Sequence, residues 1–247
     1  MKFINLICLF LLLTACKKTE NNLTKITAKN IAIDSSIASS AKIDSIIAPY
    51  SRKMIGEMEK VLSYAPYNFT KKSENRQSNL GNLMADMCYE MANAIFKDRT
   101  GSEIDFSMFN NGGLRAIISK GNVTQEDAFN LMPFENELVV VQLSGAKIEE
   151  LVTYFIDSKS AHPLSKEVAL QIKKDTYSLQ IKGQNFDKNK TYNVLTSDYL
   201  QGGGDRMNFF KNPIQLTKID YKVRDAIIHY FQQTDTIKAT IDNRVTL

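Results

Sequence analysis

Only two histidines, His162 and His229, and three cysteines occur in 247 residues. Two histidines cannot build a dinuclear phosphoesterase centre, which needs several histidines and aspartates converging on two metals about 3.5–4 Å apart. Neither an Asp-x-His segment nor a Gly-Asn-His-Asp/Glu segment is present. Zinc spacing, a Gly-x-Ser-x-Gly elbow and a Walker-type loop are missing as well. With Cys8 and Cys16 near the N-terminus, Cys88 stands alone in an apolar helical pattern, so no disulfide framework is possible. Beyond residue 13 there is no apolar run of membrane-spanning length.

What is present divides into a short leader and a longer globular part. Lys2 precedes an apolar run from Phe3 to Leu13, ending in Leu13-Thr14-Ala15-Cys16. A charged start, a brief apolar stretch and small residues before a cut describe a secretory leader over residues 1–15. The Leu-Thr-Ala-Cys ending resembles a bacterial lipobox, which implies that Cys16 becomes the lipidated first residue of the mature chain. Lipid there would hold the protein in the cell envelope, outside the cytoplasm, without making it span the membrane. Residues 16–42 are polar and read as a tether, leaving 43–247 as the folded domain. Removal of Lys2 with the leader lowers the formal charge from +4 to +3, too small an excess for a nucleic-acid track. The composition, 43% hydrophobic and 23% charged, suits one ordinary globular domain.

Hydrophobic periodicity sets out the elements. A helix capped by Asp44 is expected to carry Ile46, Ile47, Tyr50, Met54, Met58 and Val61 along one side. The strongest helix signal runs from Asn79 to Phe96, with apolar residues three and four apart and Ser78 as cap. Ile104, Phe106 and Met108 alternate as a strand. Thr124 caps a short helix, Leu138–Val141 is a buried strand, and a helix carrying Ile148, Leu151, Val152 and Phe155 follows. Leu179 with Ile181 and Tyr192 with Val194 and Thr196 mark two more strands, before a late helix around Val223–Phe231. His229 falls on that helix as a structural or surface residue. The tail from Thr236 reads as a short strand. Interleaved helices and strands indicate a single α+β domain with a mixed β-sheet flanked by helices.

Three segments carry chemistry: Asn110-Asn111-Gly112-Gly113-Leu114-Arg115, Pro133-Phe134-Glu135-Asn136, and Ser197-Asp198-Tyr199-Leu200-Gln201-Gly202-Gly203-Gly204-Asp205. Phe134 and Tyr199 are loop aromatics able to sandwich a base, and Asn136 could hydrogen-bond its edge. Asp205 could accept both hydroxyls of a ribose. Arg115 could grip a phosphate or carboxylate with two bonds. Glycine pairs beside them let backbone approach a ligand or simply turn.

At these residues the chain resembles the C-terminal, substrate-binding domain of the 5′-nucleotidase family. Asn79-Leu80-Gly81-Asn82-Leu83-Met84-Ala85-Asp86 matches the family's helix opening, and Asn111-Gly112-Gly113-Leu114-Arg115 its Asn-x-Gly-Gly-Ile-Arg. Pro133-Phe134-Glu135-Asn136 matches its Pro-Phe-x-Asn, Leu143-Ser144-Gly145 its Leu-Thr-Gly, and Tyr192–Asp205 its strand and glycine loop. The resemblance implies stacking by Phe134 and Tyr199, base contact by Asn136, ribose contact by Asp205 and phosphate or ribose contact by Arg115. Arg76 is the one candidate for the arginines that the family places before the Leu-Gly-Asn helix. Where the family carries a metallophosphatase domain, this chain has a leader and tether. The expectation is therefore a nucleotide- or nucleoside-binding half of a split 5′-nucleotidase, with no cofactor of its own. Divalent metals would sit on a separately encoded metallophosphatase chain. The rival expectation is a membrane-tethered nucleotide-binding module without enzymatic role.

Overall fold

Residues 22–247 are described by a computed structural model; the expected leader, Cys16 and the first tether residues lie outside the described residues. The chain divides into two units at Ala48/Pro49. In the first, residues 22–40 are exposed and lack regular structure, apart from a turn where Asp34 Oδ1 accepts the Ser36 N–H at 2.9 Å.

In chain order the elements are α1 (Ala41–Met58), β1 (Val61–Ala65), α2 (Asn79–Thr100), β2 (Phe106–Ser107), β3 (Gly121–Thr124), α3 (Gln125–Leu131), β4 (Glu137–Ser144) and α4 (Gly145–Ser158). There follow β5 (Val168–Ile172), β6 (Tyr177–Ile181), β7 (Gln184–Asn185), β8 (Thr191–Ser197), α5 (Asp198–Gln201), β9 (Gln215–Lys222), α6 (Val223–Gln233) and β10 (Val245–Thr246). The α+β class and mixed pairing expected from the sequence hold, with the strands divided among three sheets. Two details differ at the start. Helix α1 begins at Ala41, so Asp44 lies in its first turn rather than at the cap, and none of its residues is buried. Val61 does not continue that helix; it opens β1, which pairs antiparallel with β3.

The main sheet runs β2-β8-β4-β9. Strand β4 lies inside it, and Leu138, Val139, Val140 and Val141 are all buried, as a continuous apolar run in a central strand requires. Its register decides where the chemistry goes. Leu138 pairs with Ser197 at one end of the β4–β8 ladder and Ser144 with Thr191 at the other. The segment entering β4, Pro133–Asn136, therefore meets the segment leaving β8, Asp198–Asp205, at one end of the sheet. Strand β2 runs parallel to β8, with Ser107 opposite Leu195, so its continuation through Asn110–Gly113 emerges at that end too. Sheet pairing alone brings together three motifs that are far apart in sequence.

Helix α2 is capped as its sequence predicts: Ser78 Oγ accepts the Gly81 N–H at 3.0 Å, and Gly101 closes it with φ 72°. The polar residues of its first turns hold the C-terminal tail. Asn82 donates to Thr240 O at 2.8 Å, and Gln77 to Asp242 O and Val245 O at 2.8 and 2.7 Å. Buried Arg244 places its guanidinium on both oxygens of Asp86, at 3.0 and 2.9 Å, and on the Leu164 carbonyl at 2.6 Å. Helices α2 and α6 pack on each other, and α4 packs on β4 and β8. Cys88 is fully buried and burial pushes its thiol far up, so it behaves as a small apolar side chain.

Candidate functional site

A cavity of about 310 Å³ opens at the shared end of the main sheet. Met84, Leu114, Met132 and Val223 supply its apolar floor, and Arg115, Phe134, Asn136, Tyr199 and Asp205 also line it. Five of the six binding residues expected from the sequence thus gather in one place. Phe134 and Tyr199 are 41% and 49% exposed, so each leaves much of its ring open to a ligand.

Local chemistry explains each position. The Asn111–Gly113 segment is a single 3-10 turn, and a Cβ at Gly113 would lie 2.8 Å from Asn110 Oδ1, so a larger residue there would push the Asn110 amide from its place. Asn110, the residue before that turn, donates to Asp205 Oδ2 at 2.6 Å. Tyr199 sits on α5, a short helix capped by Ser197, and its hydroxyl donates to Asp205 Oδ1 at 3.0 Å. A Cβ at Gly204 would overlap the Tyr199 ring, so the bare glycine backbone is what the ring rests against. Gly203 has φ 90°, and Asp205 itself is left-handed at φ 50°, a conformation aspartate tolerates better than most residues. The Tyr154 hydroxyl on α4 donates to the Asp205 carbonyl at 2.9 Å. The Asp205 carboxylate is therefore aimed from three sides, and each of its oxygens keeps lone pairs for a ligand.

The Arg115 guanidinium carbon lies 5.9 Å from the centroid of the Phe134 ring, and Nη1 donates to Gly112 O at 3.3 Å. The loop bearing Phe134 is fastened by Arg224, which was not foreseen from the sequence. Arg224 is buried, lies 4.3 Å above the Phe129 ring, and donates to Met132 O at 3.4 Å, to Phe134 O at 3.3 Å and to the Glu135 carboxylate. Hydrogen bonds from Lys222 and Arg224 hold the exposed Glu135 carboxyl down at about 2.

A sequence model described as the 5′-nucleotidase C-terminal domain matches residues 54–212. The chain belongs to this family. A cell wall protein of Listeria monocytogenes is 30% identical over 166 residues, covering 61% of this chain and 20% of that protein. Protein UshA of Escherichia coli is 23% identical over 212 residues, covering 83% of this chain and 37% of that protein. Among solved structures, a 5′-nucleotidase precursor from Thermus thermophilus superposes with a TM-score of 0.66 at 18% identity, over 82% of this chain and 42% of the other. This chain thus spans well under half the length of these relatives.

The sixth expected residue of this 5′-nucleotidase C-terminal domain lies elsewhere. Arg76 is not among the residues lining the cavity. It occupies a tight turn in which Glu74 and Gln77 exchange backbone hydrogen bonds and Asn75 and Arg76 are left-handed, at φ 48° and 60°. That turn carries the guanidinium to the Ile156 carbonyl in the last turn of α4. Arg115 and Asp205 are the charged side chains on the cavity wall.

His162 supports the site from beneath. It is 8% exposed, and its Nδ1 accepts the Asn111 N–H at 3.2 Å, which leaves the ring proton on Nε2. Burial pulls its pKa down to about 4, against the opposing pull of the Asp205 charge. Its ring also lies 5.4 Å from that of Tyr154, so His162 and Tyr154 brace both glycine turns. His229 lies on α6 with Nδ1 2.5 Å from the Tyr221 hydroxyl, away from the cavity. Among the described residues, no group of three or more His, Cys, Asp or Glu side chains could hold a metal ion. The site's amides, guanidinium and already-bonded carboxylate do not fit a hydrolytic metal centre. The cavity lining offers two aromatic faces, hydrogen-bonding groups and one charged side chain of each sign.

Proposed function

We propose that this chain is the substrate-binding half of a split 5′-nucleotidase, holding a nucleotide or nucleoside while a separate metallophosphatase chain hydrolyses the phosphate ester. The observation that carries the reading is the convergence of Phe134, Tyr199, Asn136, Asp205 and Arg115 on one cavity. Two exposed rings accept a flat heterocycle, Asp205 accepts a sugar diol, and Arg115 offers the positive charge. Such a pocket contributes orientation, which can supply a large share of a rate enhancement without taking part in bond cleavage. Divalent metals on the partner would activate the attacking water.

We place the protein in the cell envelope, outside the cytoplasm and anchored through lipid at Cys16. Its similarity to a cell wall protein supports an extracytoplasmic site. No described helix is long and apolar enough to cross a membrane.

Calorimetry on the full chain tests the binding role: adenosine and AMP are expected to bind with one-to-one stoichiometry, and absence of binding by both overturns it. Phosphate release from AMP with added manganese or zinc tests the division of labour. Sustained turnover by the purified chain alone overturns the split arrangement. Binding without copurification of any metallophosphatase from the native envelope favours the tethered binding module.

A further inference from the structure

Asp198 stands between the two ring-bearing segments and does not line the cavity. Its Oδ1 accepts three hydrogen bonds: from the Asn136 side-chain amide at 3.0 Å, from the Glu137 N–H at 3.2 Å and from the Tyr199 N–H at 2.7 Å. An ionised carboxylate only accepts, whereas a carboxamide offers an acceptor on one side and donors on the other. Nδ2 of Asn136 must therefore face Asp198, and its oxygen is left for a ligand. Asn136 lines the same cavity as both rings, two residues after Phe134. Free asparagine side chains can turn over to suit either a donor or an acceptor; this one is fixed.

A fixed amide oxygen welcomes an exocyclic amino group and repels a carbonyl in the same place. Adenine and cytosine present the amino group where hypoxanthine and uracil present oxygen. We propose that Asp198 is a positioning residue for specificity, orienting the Asn136 amide so that the cavity prefers amino-bearing nucleosides to their keto counterparts. The inference rests on the nucleoside-binding reading and deepens it by naming the class of base.

Adenosine and inosine differ at the six-position, amino against oxygen, and at the adjoining N1, which carries a hydrogen only in inosine; calorimetry on the full-length chain compares them directly. Wild type is expected to bind adenosine about five- to tenfold more tightly, the low end of base discrimination because Asn136 is only half-buried. Asp198→Ala removes the acceptor that holds Nδ2, so the Asn136 amide can turn over and the adenosine-to-inosine ratio should fall towards one while adenosine still binds. Asn136→Ala should likewise bring the ratio to one. A purely structural role for Asp198 would weaken both nucleosides equally and leave the ratio intact, and that result overturns the proposal. Equal binding of the two nucleosides by wild type also overturns it while leaving the nucleoside site standing. Failure of wild type to bind either one removes the nucleoside site and this inference together.

Discussion

The two walls of the cavity each present one exposed ring, yet they are secured in opposite ways. Phe134 is held from behind, through backbone carbonyls and Glu135 gripped by Arg224, so its support is independent of anything in the cavity. Tyr199 is held from the front, by a hydroxyl bonded to the carboxylate proposed to take the sugar, with Gly204 beneath its ring. One wall is scaffold. The other is coupled to its ligand, because any group that engages Asp205 also acts on the ring next to it.

Removing both rings erases the comparison, and Phe134→Ala with Tyr199→Ala is expected to weaken adenosine binding by roughly 4 kcal/mol, at about 1–3 kcal/mol per stacked face. Calorimetric titration should then show no heat at micromolar protein, whereas unchanged affinity would mean that neither ring touches the base. Attacking the scaffold wall alone, Arg224→Met keeps the apolar contact with Phe129 but strips the Met132 and Phe134 carbonyls of this donor and leaves Glu135 with Lys222 alone. A stability loss of roughly 2–3 kcal/mol in urea unfolding is expected, discounted because Glu135 is exposed. Adenosine affinity should drop although Arg224 does not line the cavity.

Support common to both glycine turns is tested by pH. His162 is neutral in both folded and unfolded chains above about pH 6.5. Below that, the unfolded chain takes up a proton that the folded one refuses until about 4, so stability falls across this window as pH drops. The loss due to this residue should reach roughly 2 kcal/mol by pH 5, and His162→Asn should flatten that part of the profile. Identical pH dependence in both proteins would remove His162 from the account. The smallest effect sharpens the comparison most: Tyr199→Phe keeps the stacking face and frees Asp205, costing adenosine binding under about 1 kcal/mol. The corresponding loss for a base lacking the sugar should be larger, since only the sugar can replace the missing hydroxyl at Asp205.

Much of this was readable in the chain. The α2 cap, the buried run of β4 and the three motifs are local signals, set by residues within a few positions of one another. What escaped notice depends on distant partners. Strand β9 has one fully buried residue, Ile219, among polar neighbours, and becomes a strand because β4 offers it a ladder. Strand β5, with Val168 and Leu170 alternating over five residues, is similarly brief and is completed by β6 and β10. Arg76 was named for its proximity to the Leu-Gly-Asn helix, but two left-handed residues turn its side chain to α4. Asn110, Asp198, Tyr154 and Arg224 are bonded to residues that line the cavity. Asn110 and Asp198 stand inside the three motifs, but their partners lie 95 and 62 residues away, which no local pattern reveals.

The clasp between Arg244 and Asp86 joins positions 158 residues apart. Closing so long a loop is entropically slow, so the rest of the fold must already stand when that contact snaps shut. Its loss should accelerate opening far more than it delays assembly, which makes the tail a latch on kinetic lifetime. At the envelope location proposed for this protein, that lifetime would set how long the fold resists proteolysis.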